Sequence, residues 1–167
     1  GSVNRGAVYA YAGSGTSWTL SGSRLLGNDI VAGQAFGQSL SASNALVAIG
    51  APGDSSFRGA TYLYGKSGSV WTYQSKIVAS DGVANDRLGI SVNLANDVLL
   101  MGAPGATISG KSGQGAAYVW AKLNGSWSYQ SKLIATDGAI GDGLGISVAA
   151  STRTAVVGAN LDDRDVN

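Results

Sequence analysis

The chain has 167 residues, room for one ordinary domain, and its ten acids nearly balance eleven bases to leave a net charge of +1; no global field steers it toward nucleic acid or an anionic membrane. It contains no His and no Cys, which removes the commonest general base, the commonest zinc ligand, thiol chemistry and disulfides. With 44% hydrophobic residues, 13% charged and 26 Gly, it is too apolar for a disordered chain and too Gly-rich for a helical one.

In chain order, Gly1-Ser2 reads as a tag scar and residues 1–5 as an N-terminal lead. Then comes a series of short segments: Gly6-Ala-Val-Tyr-Ala-Tyr11, a stretch opening at Trp18, Ser23-Arg24-Leu25-Leu26, Gly37-Gln-Ser39-Leu40 and Val47-Ala-Ile-Gly50. The same series returns from Gly59-Ala-Thr-Tyr-Leu-Tyr64 through Trp71, Ser75-Lys76-Ile77-Val78 and Gly89-Ile-Ser91-Val92 to Leu99-Leu-Met-Gly102. It returns again from Gly115-Ala-Ala-Tyr-Val-Trp120 through Trp127, Ser131-Lys132-Leu133-Ile134 and Gly145-Ile-Ser147-Val148 to Val156-Val-Gly158. The starts lie 53 and then 56 residues apart, and each Trp follows its start by 12. Five matching blocks in one order, three times, make an internal repeat.

The segments are β-branched or aromatic and bounded by Gly, Asp, Asn and Ser, so each reads as a strand. Strand A is named at Gly-x-Ser, B at the apolar run before Gly-Ala, C at Gly-Ala-x-Tyr and D at the Trp segment. B carries the most continuous apolar run, as in Val98–Met101, the pattern of a strand buried on both faces. Four antiparallel strands per repeat is the blade of a β-propeller, and the class is all-β with no helix expected. Residues 28–80 and 81–136 are two full blades; residues 6–27 hold only C and D, and residues 137–167 only A and B with an acidic tail.

The segments Phe36-Gly37 … Gly50-Ala51-Pro52, Leu88-Gly89 … Gly102-Ala103-Pro104 and Leu144-Gly145 … Gly158-Ala159 resemble FG-GAP repeats, with Leu for Phe in two copies and Asn160 for Pro in the third. The resemblance implies a propeller like the head of integrin α chains and of many microbial surface proteins, hence an extracellular or cell-surface binding or adhesion module. Some blades of that family carry a calcium loop of the Asp-x-Asp-x-Asp-Gly kind between A and B. Here those hairpins offer only Asp97, whereas calcium takes six to eight oxygens; no metal or other cofactor is expected.

Three repeats do not close a ring. Left alone, each half-blade exposes an unpaired sheet edge. In one reading, two copies form a six-bladed homodimer in which each C–D half completes the other chain's A–B half. In the other, the chain is part of a longer propeller.

Loops D–A and B–C should emerge on one face of the propeller and hairpins A–B and C–D on the other. Nine of the ten acids then fall on the D–A/B–C face, with only Asp97 opposite, beside Lys66, Lys122 and Arg153. The D–A loops repeat Asp81-Gly82 … Asp86 and Asp137-Gly138 … Asp142; the first copy has Asp29 and Gln34. Such pairs suit a cation or sugar hydroxyls, or serve only as turn starters and caps, a reading their periodicity supports. A glycosidase would need one raised pKa, to which exposed Gly-flanked Asp residues are ill suited; no catalytic residue is assigned. Trp18, Trp71 and Trp127 read as packing between blades rather than sugar-stacking platforms. Phe57 is unrepeated in the loop Asp54-Ser-Ser-Phe57-Arg58, where an aromatic beside an Arg suits a contact. The candidate ligand-binding residues are therefore Asp54, Phe57, Arg58, Asp81, Asp86, Asp137 and Asp142, meeting a protein or glycan. No nucleic-acid stripe and no membrane-length apolar run is present. A self-assembling scaffold without a small ligand is the alternative.

Overall fold

The computed structural model describes residues 4–43 and 45–163; residues 1–3 of the lead and Asp165 of the acidic tail lie outside them. Among the described residues, twelve strands are arranged as read from the repeat. The first half-blade pairs β1 (Tyr11–Ser14) with β2 (Ser17–Leu20). A full blade follows, ordered β3 (Leu40–Ser43), β4 (Leu46–Ala51), β5 (Ala60–Ser67) and β6 (Val70–Ile77). The next is β7 (Val92–Ala95), β8 (Val98–Ala103), β9 (Ala116–Leu123) and β10 (Ser126–Leu133). The last half-blade pairs β11 (Ser147–Ala150) with β12 (Ala155–Gly158). All of these pairings are antiparallel.

The strand patterns follow from their places in the blade. Strands β4 and β8 are buried from their second residue to their last, because each has a strand on either side and a neighbouring sheet on each face. The outermost β6 and β10 are largely exposed or half-buried. The two core clusters lie between sheets. One joins Ala48 and Leu63 of the first full blade to Leu99, Met101 and Tyr118 of the second. The other joins Val8 and Leu25 of the N-terminal half to Ile49, Tyr62 and Tyr64. Trp71 and Trp127 pack against these clusters as expected, whereas Trp18, in the N-terminal half-blade, does not and is 71% exposed.

The repeated Gly residues have a physical reason. Gly102 faces the next sheet so closely that a Cβ would run into the Gly145 carbonyl oxygen. Ser91 Oγ donates to that same oxygen at 2.8 Å, as Ser39 Oγ does to Gly89 O at 2.7 Å one blade earlier. Gly89 has φ of 84°, a conformation open to Gly without steric cost, and its N–H reaches Gly102 O at 2.9 Å. The signature is thus the seam that stitches one blade to the next.

One expectation is corrected. A single helical turn does occur, at Asp54–Phe57, and it is left-handed: Ser55, Ser56 and Phe57 have φ of 48°, 60° and 63°. Nothing in the residue types signals it, since left-handed backbone costs about 1–2 kcal/mol per non-Gly residue.

Candidate ligand-binding face

The D–A and B–C loops meet at one end of the sheets, held together by backbone hydrogen bonds. Gly53 N–H donates to Gln34 O and Gly105 N–H to Asp86 O, both at 3.1 Å. The second acid of each D–A loop is buried and caps its own loop. Asp86 Oδ2 accepts from Val83 N–H at 2.8 Å and Asp142 Oδ2 from Ala139 N–H at 2.7 Å. Gln34, which stands in that place in the first copy, does the same through Oε1 to Val31 N–H at 3.1 Å.

The first acid of the loop has a different task. Asp81 accepts from Lys132 Nζ at 2.9 Å and from the Tyr118 hydroxyl at 3.0 Å. Asp29 accepts from Lys76 Nζ at 2.7 Å and from the Tyr62 hydroxyl at 2.6 Å. Each Asp thus clamps strands C and D of the blade its loop leads into. Lys76 also reaches Asp54 at 2.9 Å, where the carboxylate is only 2% exposed and accepts from Ser55 Oγ. Hydrogen bonds from Lys76 and then Tyr62 hold the Asp29 carboxyl below its usual range. Burial raises that of Asp81, but the bonds from Lys132 and Tyr118 outweigh it and the net shift is downward. Burial pushes the Tyr118 hydroxyl up to about 12. Asp137, exposed, holds the matching place in the third copy.

These contacts change the electrostatic picture of the face. Lys76 and Lys132 sit at the ends of strands D and come to the same end as the D–A loops, so the acids there are offset by bases. Arg58, Arg87 and Lys111 lie in these loops as well. The face is rich in Asp but not a field of bare negative charge. Among the described residues no group of three acids gathers to hold a metal ion.

Arg58 braces the face from below. Its guanidinium donates to Ala79 O, in the loop that carries Asp81; Gln114, its counterpart in the next copy, donates to Ala135 O at 2.8 Å. Phe57 is 49% exposed and its carbonyl accepts the Arg87 N–H at 2.8 Å, which sets the two residues side by side.

A cleft of about 380 Å³ opens on this face, lined by Asn85, Arg87, Pro104, Ser112, Gly141, Gly143, Ile146, Asn160 and Leu161 among others. Asn85 and Arg87 are exposed and have φ of 73° and 59°. The matching places in the next copy are Gly141 and Gly143, at 86° and 70°. Their backbone bonds match too: Arg87 N–H to Phe57 O, and Gly143 N–H to Gly113 O, each within 2.9 Å. One wall of the cleft therefore carries an amide and a guanidinium on backbone that its sister loop supplies with Gly. Sequence reasoning passed over Asn85, Arg87 and Asn160. The signal was there, in two polar side chains at repeat positions that hold Gly33 and Ala35 in the first copy and Gly141 and Gly143 in the third. None of the acids chosen from the sequence lines this cleft.

Three adjacent segments, residues 19–64, 71–120 and 127–167, match the sequence model of the FG-GAP repeat. The chain belongs to the FG-GAP repeat family. No curated protein matches it. Its sheets are those of FG-GAP propeller blades, two complete and two halved. FG-GAP repeats are typical of extracellular proteins, and no helix among the described residues is long and apolar enough to cross a membrane.

Proposed function

We propose that the chain is a non-enzymatic binding module of a secreted or cell-surface protein, and that its ligand, a protein or a glycan, is met in the Arg87 cleft of the D–A/B–C face. The observation that carries this is the exposed pair Asn85 and Arg87 on the cleft wall: the matching places hold Gly33 and Ala35 in the first copy and Gly141 and Gly143 in the third, so this copy alone brings polar side chains there. Arg87 offers a planar fork of donors suited to a carboxylate or sulfate, and the Asn85 and Asn160 amides stand on the same cleft to pair with hydroxyl or amide groups. The engagement of Asp29, Asp54, Asp81, Asp86 and Asp142 in clamps and caps supports a module without hydrolytic chemistry.

The test is an array of neutral and uronate- or sialate-bearing glycans together with acidic peptides, probed with the native chain and with Arg87→Gly. Binding of an acidic member by the native chain, and its loss in the folded variant, is expected. Equal binding by both would sink the cleft. A second reading, a self-assembling scaffold, draws on the two half-blades.

A further inference from the structure

The two full blades show what covers an A–B pair, because in each of them a C–D pair does so. In both half-blades the same positions are bare. Tyr62 and Tyr118 are 0% and 2% exposed, whereas Tyr9, their counterpart, is 52% exposed. On the other half, Val156 is 62% exposed where the matching Leu100 is 0%. Strand β12 pairs only with β11, while β4 and β8 each pair on both sides. Beside β12 an apolar groove of about 290 Å³ runs over Leu100, Val119 and Ala121. These residues stand where Ala48, Leu63 and Gly65 stand one blade earlier, and Tyr118 packs into the cluster formed there by Ala48 and Leu63.

The polar clamp points the same way. In the complete blades it consists of an Asp from the D–A loop, a Tyr from C and a Lys from D. The C-terminal half-blade has the acid, Asp137, and also Asp162 at the place of Asp54. The N-terminal half-blade has the other members, Tyr9 and the exposed Arg24 at the place of Lys76 and Lys132.

We infer that β12 of one chain is completed by the C–D half-blade, residues 6–27, of a second copy, with Asp137 and Asp162 gripping the Arg24 of that copy and Asp137 accepting from its Tyr9 hydroxyl. The register follows from the complete blades, where Ile49 lies opposite Tyr62 and Met101 opposite Tyr118. Val157 then lies opposite Tyr9 of the second copy, and Val156 opposite Ala10. Two-fold symmetry satisfies both junctions at once. The inference is independent of the Arg87 cleft.

The native chain lacks Cys, so Ala10→Cys and Val156→Cys chains can be mixed and oxidised cleanly. A covalent dimer from the mixture, and none from either chain alone, is expected; no cross-link in the mixture, or equal cross-linking of one variant with itself, overturns the register. As a second measurement, Arg24→Glu should weaken association on the order of tenfold or more, while Arg24→Lys, the residue used in both complete blades, retains it. Unchanged association in Arg24→Glu, or a folded native chain that stays monomeric, overturns the inference and assigns the half-blades to other repeats.

Discussion

Lys76 Nζ sits between two carboxylates, 2.7 Å from Asp29 and 2.9 Å from Asp54, and so ties the outermost strand of a blade to both loops that border it. Its ammonium also lies 5.2 Å from the centre of the Tyr62 ring. Lys132 repeats the arrangement with Asp81 and Tyr118, but Ala106 stands in the place of Asp54.

That difference sets an unequal cost of mutation. Lys76→Met leaves the buried Asp54 carboxylate without its cation and should destabilise the chain by about 3 kcal/mol. Lys132→Met affects Asp81, whose side chain is 53% exposed, and should cost about 1 kcal/mol or less. Urea unfolding of the two variants measures the gap; equal costs would contradict it.

The clamps also fix a pH dependence. The Asp29 and Asp81 pKa values are depressed below the ordinary carboxylate value of 3.8, so their contribution is complete above that value and is lost as pH falls through the folded ones. Burial lowers the Lys76 and Lys132 values, but their hydrogen bonds with Asp and Tyr outweigh it, and both end above the ordinary lysine value of 10.5. Their contribution is complete below 10.5 and is lost as pH rises through the folded values. Thermal melts should therefore show a plateau through neutrality and a fall at each end. Lys76→Met should flatten both limbs.

Arg87→Gly separates folding from binding. Release from left-handed backbone gains about 1–2 kcal/mol and the added chain entropy of Gly costs about 0.5–1. A folded state at least as stable, and more so by up to roughly 1.5 kcal/mol, with ligand binding lost, is expected. A destabilised variant would show that Arg87 is held by packing rather than retained for contact.

Gly102→Ala tests the seam between blades. The added methyl meets a backbone carbonyl that cannot swing away, and a loss of about 3 kcal/mol or more is expected. Gly125→Ala, at a hairpin with open space around it, should cost only the strain of its φ of 83°, about 1–2 kcal/mol.

Much of this was legible in the sequence because a propeller repeats its constraints. The blade phase, the burial of Leu99–Met101 and the capping by Asp86 and Asp142 recur at fixed spacing, so each copy vouches for the others. The polar clamp was harder to see. Asp29 and Lys76 lie 47 residues apart, and only the antiparallel order of the sheet brings the end of strand D back to the loop before strand A. The left-handed turn at Ser55–Phe57 was hidden for a different reason. Those residue types disfavour the conformation, and tertiary hydrogen bonds from Asn85 and Arg87 to Ser56 and Phe57 impose it. Arg87 was not legible as a site residue because a lone base in an Asp-rich loop carries no motif; only its place on the wall of the cleft that Asn160 also lines marks it.

The most direct measurement is the solution mass of the unmodified chain by light scattering behind a sizing column. Two complementary half-blades that complete each other predict a species near twice the 16.7 kDa chain, stable on dilution to low micromolar. A well-folded species at the single-chain mass would contradict that account.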